Sequence, residues 1–238
     1  MEITPDSIVY WQAGPIKISA TLVFTWLVMA LMVLASWLVT RRLTTDTTLS
    51  RGQNLLESIV EGIQEQIRDV TEQDPDRFLP FIGTLFLFIA TCNVLTIVPG
   101  FHPPTGSLST TAALALCVFV AVPVYGIATH GFFKYLKSYL SPSPFMLPMN
   151  VLGELTRTVA LAIRLFGNIM SGSMIGAILL AVAPLFFPIL MDALGLLIGL
   201  IQAYIFSILS LVFIASATRA HEEQQHVEAS TANEEIYG

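Results

Sequence analysis

Between Phe78 and Phe133 the chain carries no Asp, Glu, Lys or Arg. So long an uncharged stretch cannot serve as a water-facing surface, and the solvent that accepts it is the hydrocarbon of a bilayer. A helix needs roughly 20 apolar residues to cross that layer. The turn-forming sequence from Pro99 and Gly100 through His102, Pro103 and Pro104 to Ser107 divides the stretch into two spans of about that length. Three further runs qualify: Ile18 to Val39, Thr158 to Met191 with Arg164 as its one charge, and Ala193 to Thr218. Composition agrees, since 54% of the 238 residues are hydrophobic and 12% are charged, about half the ~25% usual in soluble domains. A soluble enzyme, a nucleic-acid binder and a disordered scaffold are all disfavoured, and a net charge of −6 argues against a polyanionic partner. The expected fold is an all-α integral membrane protein. It has about five transmembrane helices and one amphipathic surface helix, and its last two helices are long and tilted.

Basic residues beside the spans set the orientation. With the N-terminus outside, the inner face receives Arg41, Arg42, Arg51, Arg68, Arg77, Lys134, Lys137 and Arg219, and the outer face only Lys17. The N-terminus is therefore expected outside and the C-terminus in the cytoplasm. A cleaved leader is not expected, because the first residues carry Glu2 and Asp6 rather than a basic cluster. The chain divides into an outside segment with the first span (1–40), a cytoplasmic connector with the amphipathic helix (41–77), a transmembrane hairpin (78–133), a cytoplasmic loop with a long tilted helical hairpin (134–220), and an acidic tail (221–238).

In the connector, Leu56, Ile59, Val60, Ile63, Ile67 and Val70 recur at helical spacing, while Glu57, Glu61 and Glu65 form a separate i, i+4 stripe. Such a helix from Gln53 to Val70 suits the membrane surface or a partner contact; an ordinary solvated connector is the plainer alternative. From Asn150 to Ala183 no proline occurs, which allows a helix of about 50 Å at 1.5 Å per residue. That exceeds the roughly 30 Å hydrocarbon thickness. Pro184 and Pro188 are expected to end this helix with Asp192 at the outer turn. The next helix is expected near Ile189 to Ala220, and the tail from His221 to Gly238 as loosely ordered polar chain.

Arg164 demands an explanation. Leu165 to Met191 after it carry no charge, and a buried arginine in lipid costs about 2.5 kcal/mol or more. It does not shed its proton, its pKa being above about 12. Snorkelling to the interface is the bland account; a polar path or a partner is the sharper one. Asn168 and Ser171 continue its helix face, and Gly167, Gly172, Ser173 and Gly176 cluster nearby. Gly195, Gly199, Gln202 and Ser210 recur on the final helix, and small residues of this kind let another helix approach closely in a membrane. Simple packing of the two helices explains that pattern as well as presentation of one face to an outside partner does. No intramembrane Asp or Glu is at hand for Arg164, Glu154 lying toward the cytoplasmic end and Asp192 at the other, which favours an external counterion. Asn93 and Thr96 suit either an aqueous path or buried hydrogen bonds. Cys92 and Cys117 have no metal-ligand spacing, and His221 and His226 are five apart rather than four, so no metal and no cofactor are expected. GxxxxGK[ST] and GxGxxG are both absent, so the chain itself is not expected to handle nucleotide.

Arg164-Leu165-Phe166-Gly167-Asn168 together with Gln202-Ala203-Tyr204-Ile205-Phe206 resembles subunit a of F-type ATP synthases. Phe81 to Phe88, Asn93, Ile97-Val98-Pro99-Gly100 and Gln53-Asn54-Leu55-Leu56-Glu57 are similar to the same family, so the likeness runs from about Gln53 to Thr218. The resemblance implies a membrane stator subunit of a rotary ATP synthase or ATPase. It would form two ion half-channels against a ring of carboxylate-bearing subunit c and couple proton or sodium flow to ring rotation. It further implies partners in the c-ring, the subunit b peripheral stalk and the remaining ATP synthase subunits, and a place in the bacterial inner membrane. By the same likeness Arg164 matches the essential ion-translocation arginine, with Asn168, Gln202, Ser173 and Asn93 along the ion path. Gly167, Ser171, Gly172, Gly195 and Gly199 are expected to face the ring.

Two departures from the family stand out. Many members carry titratable groups nine residues after the arginine and seven before the glutamine, where this chain has Ser173 and Gly195. That suggests a divergent branch, one moving sodium or one passing protons through ordered water. A secondary transporter or channel acting without a rotor is the competing reading from another class, although the halves show no inverted repeat.

Overall fold

The computed structural model describes residues 9–13, 16–41, 51–71, 73–98, 100–131, 146–182 and 187–237. Arg42, Pro99, Lys134, Lys137 and Pro184, used above for orientation and turns, lie outside them. Among the described residues the chain is mainly helical, with a small antiparallel hairpin, β1 (Val9–Ala13) with β2 (Ile16–Ser19), for which hydropathy carries no signal. Six α-helices follow among the described residues: α1 (Ala20–Thr40), α2 (Arg51–Thr71), α3 (Leu79–Leu95), α4 (Leu108–His130), α5 (Met146–Val182) and α6 (Phe187–Tyr237).

Four of them, α1, α4, α5 and α6, are long and apolar enough to cross a membrane, and α3 is a shorter apolar helix of 17 residues. A short 3₁₀ turn at Pro104–Gly106 joins α3 to α4. Ser107 caps α4 by accepting a hydrogen bond from the Ser109 backbone N–H at 3.2 Å. Gly131, at φ +83°, ends α4 with its N–H donating to the Ile127 carbonyl, a backbone conformation few other residues adopt.

Side chains from α1, α3, α4, α5 and α6 meet in one core that includes Val28, Phe88, Ile89, Cys92, Val118, Leu165 and Phe206. A second cluster joins Ile67 of α2, Phe78, Ile82 of α3, Val122 of α4, and Leu211 and Ile214 of α6. The amphipathic connector is thus docked on the bundle: Ile67 and Thr71 are buried, and Glu57, Glu61 and Glu65 are exposed. Its Gln66 Oε1 accepts a hydrogen bond from Tyr204 Oη of α6 at 2.6 Å. By contrast α1 is peripheral, with Trp26, Leu34 and Trp37 all more than half exposed, as suits a helix bathed in lipid.

One expectation is corrected. Residues 221 to 237, expected as a loosely ordered tail, continue α6 as helix. From Leu200 to Tyr237 there is no proline or glycine, and Ala, Glu and Gln recur, so no residue stops a helix already nucleated by the preceding span.

Candidate ion path and its fixed charge

The inner stripe of α5 is Leu161, Ala162 and Leu165, all buried in the bundle core. Arg164 stands on the other side of that turn and is exposed, so its guanidinium is directed away from the core. Among the described residues nothing pairs with it. Leu165 of α5 shares the core with Ala203 and Phe206 of α6, and Arg157, seven residues before Arg164, lies over the Phe213 ring at 5.4 Å. The antiparallel register of the two helices therefore brings Arg164 to the level of Ala203–Phe206.

One turn beyond Arg164 a cavity of about 640 Å³ opens between the end of α3, the second half of α5 and the start of α6. Asn93 of α3 and Thr96 just past its end, Asn168 and Ser173 of α5, and Asp192 and Gly195 of α6 are in its lining. The walls are mostly apolar, Ile169, Ile175, Leu194 and Ile198 among them, with these few polar groups set into them and little charge. Ser173 Oγ donates to the Ile169 carbonyl at 2.9 Å, which leaves its oxygen lone pairs open to the cavity. Thr96 Oγ1 donates to the Asn93 carbonyl. Asn93, only 5% exposed, donates from Nδ2 to the Gly199 carbonyl at 2.8 Å while its side chain borders the cavity. Asn93 thus makes a buried hydrogen bond and borders the cavity at once.

Of the small residues expected on the outward face, Ser171, Gly172 and Gly195 are exposed, and Gly167 is half-buried with open space where a Cβ would stand. Gly199 departs from that expectation. It is buried, and a Cβ there would come within 2.7 Å of Asn93 Cγ. Its lack of a side chain serves the internal contact between α3 and α6 rather than an outside partner. Gln202 also sits differently from a path-lining residue: it is 7% exposed, outside the cavity lining, and its Nε2 is buried without a hydrogen-bond partner among the described residues. By sequence alone Asp192 marks only the outer turn. α6 begins at Phe187, so Asp192 lies inside the helix and on the cavity wall, on one stripe with Gly195 and Gly199. That i, i+3, i+7 spacing was the available signal.

Toward the other end of α5 a much smaller cavity, about 20 Å³, is lined by Glu154, Arg157 and Thr158 with Ser216 of α6. Among the described residues no group of three His, Cys, Asp or Glu stands close enough together to hold a metal.

Residues 22–215 match the family described as ATP synthase A chain. The chain is 57% identical over 233 residues to ATP synthase subunit a 2 of Acaryochloris marina, covering 98% of this chain and all of that protein. It is 59% identical to ATP synthase subunit a 1 of Chlorobaculum parvum, over 94% of this chain and 99% of the other. With ATP synthase subunit a of Albidiferax ferrireducens the identity is 56%, over 93% and 96%.

Proposed function

The chain belongs to the ATP synthase A chain family, and on that premise we propose that Arg164 is the fixed stator charge of a rotary ATP synthase. Its function is that of the multi-pass membrane stator subunit, through which ion flow is coupled to ATP synthesis. The lone-transporter reading has no support from the family. The observation that carries the proposal is the outward guanidinium of Arg164, unpaired among the described residues, one turn from a cavity whose mostly apolar walls carry Asn93, Asn168 and Ser173.

The partner that fits is a ring of subunit c whose carboxylates pass the exposed face of α5, with subunit b and the remaining subunits holding this chain still. A carboxylate about 4 Å from the guanidinium is attracted by roughly 4 kcal/mol at an effective dielectric near 20. One charge crossing 100 mV supplies about 2.3 kcal/mol, so a driving force of roughly 150 to 200 mV is matched to releasing the pair. The positive charge thereby draws in an ionised ring site, expels its bound cation, and bars direct leakage between two access paths. The cavity above Asn168 is the access path from the side of the α3–α4 turn. With the N-terminus outside a bacterial inner membrane, that is the outer side. Asn168, Asn93 and Ser173 line the path, and Gln202, behind Arg164's level, supplies a buried amide able to hold water or steady the arginine's surroundings.

The test is Arg164→Ala in the assembled complex. The expected outcome is full assembly with ATP-driven ion pumping reduced to background. Coupled transport that survives the change overturns the reading. The coupling ion is read in the same vesicles: ²²Na⁺ uptake that persists with a protonophore assigns sodium, and its abolition assigns protons.

A further inference from the structure

We propose that Asp192 is the cation-collecting carboxylate of the access path; this rests on reading the 640 Å³ cavity as that path. The cavity's walls come from three elements. α3 brings Asn93, with Thr96 just past its end, and α5 brings Asn168 and Ser173, all neutral. α6 brings Asp192, the one titratable side chain in the lining; Arg164 and His102 lie outside it. Asp192 is exposed at one end, and Gly199 lies seven residues further along the same wall, about 10 Å deeper. Asn168 at the inner end is one turn from Arg164. A cation entering by Asp192 therefore meets a carboxylate first, a few neutral oxygens and amides on a mostly apolar wall next, and the level of the fixed guanidinium last.

That order has physical content. A cleft with low-dielectric walls and one sign of charge raises the local counter-ion concentration by roughly 10- to 1,000-fold. Neutral polar groups beyond it solvate the ion without trapping it. A purely structural role is a poor fit. Asp192 is the sixth residue of α6, past the first turn where an acid stabilises the helix dipole. Among the described residues no hydrogen bond or ion pair ties it to the bundle. The ligand is a monovalent cation, hydronium or Na⁺, since the chemistry that collects either is the same.

The experiment uses the whole synthase reconstituted in liposomes, with ATP synthesis followed as the cation on the cavity side is titrated. In one arm pH is varied at fixed Na⁺, and in the other Na⁺ is varied at fixed pH. For Asp192→Asn the expected result is an apparent half-saturation concentration raised about tenfold in one arm, with the maximal rate retained at saturation. The arm that shifts identifies the cation. Titration from the opposite side should be unchanged. Asp192→Glu, which keeps the charge in place, should titrate as wild type. Wild-type curves in both arms for Asp192→Asn overturn the proposal, as does an equal shift for Asp192→Glu. Arg164→Ala assayed in parallel separates the two claims: loss of coupling there with no shift for Asp192→Asn sinks only the collecting role.

Discussion

Arg164 is flanked on its own turn by Leu161, Ala162 and Leu165, all packed into the core, so replacing it disturbs little packing. That makes Arg164→Lys informative. A compact ammonium sheds its proton more readily and lacks the planar fork, and synthesis in the reconstituted complex should recover only in part, with assembly unaffected. Full recovery would mean that any cation at this depth suffices. Gly199 raises the opposite case, in which packing is everything. A methyl group there falls 2.7 Å from Asn93 Cγ, and Asn93 is held by its bond to the Gly199 carbonyl. Gly199→Ala should destabilise by about 1–3 kcal/mol, read as a lowered melting temperature in detergent. Adding Asn93→Ala should recover part of the loss, whereas strictly additive losses would contradict a direct clash.

Among the elements, α2 is most easily mistaken for a loose connector. Its acidic stripe of Glu57, Glu61 and Glu65 is exposed, while Ile67 is 1% exposed and packed against Phe78, Leu211 and Ile214. Ile67→Ala should cost about 2–4 kcal/mol, and Glu61→Gln should stay within about 0.5 kcal/mol, both measured by thermal unfolding of the solubilised complex. Equal effects would show α2 detached from the bundle. The length of α5, 37 residues, is about 55 Å at 1.5 Å per residue. It therefore either tilts strongly or reaches out of the hydrocarbon, and the Glu154–Arg157 end carries the polar groups such an extension needs. In α6 the absence of proline and glycine from Leu200 onward carries the helix past the span to Tyr237.

Across the whole molecule the orientation is the claim most open to a direct check. With the N-terminus outside, a cysteine introduced at exposed Glu61 should react with a membrane-impermeant maleimide in inverted vesicles and stay unlabelled in right-side-out ones. The reverse pattern would invert both the topology and the side to which the Asp192 cavity opens.

Hydropathy, turn residues and charge asymmetry in the chain by themselves determined the membrane solvent, the span positions, the amphipathic connector and the isolation of Arg164, because each depends on local composition or on helical periodicity. The motif about Arg164 and Gln202 likewise pointed to the family before any coordinates. Only the tertiary structure decided that Gly199 is filled by Asn93, that Gln202 is tucked behind the cavity rather than along it, and that Asp192 stands on the cavity wall. Those facts depend on which turn of one helix meets which turn of another across as many as 106 residues of chain. Such a register is set by the summed fit of many side chains, and no short stretch of sequence contains it.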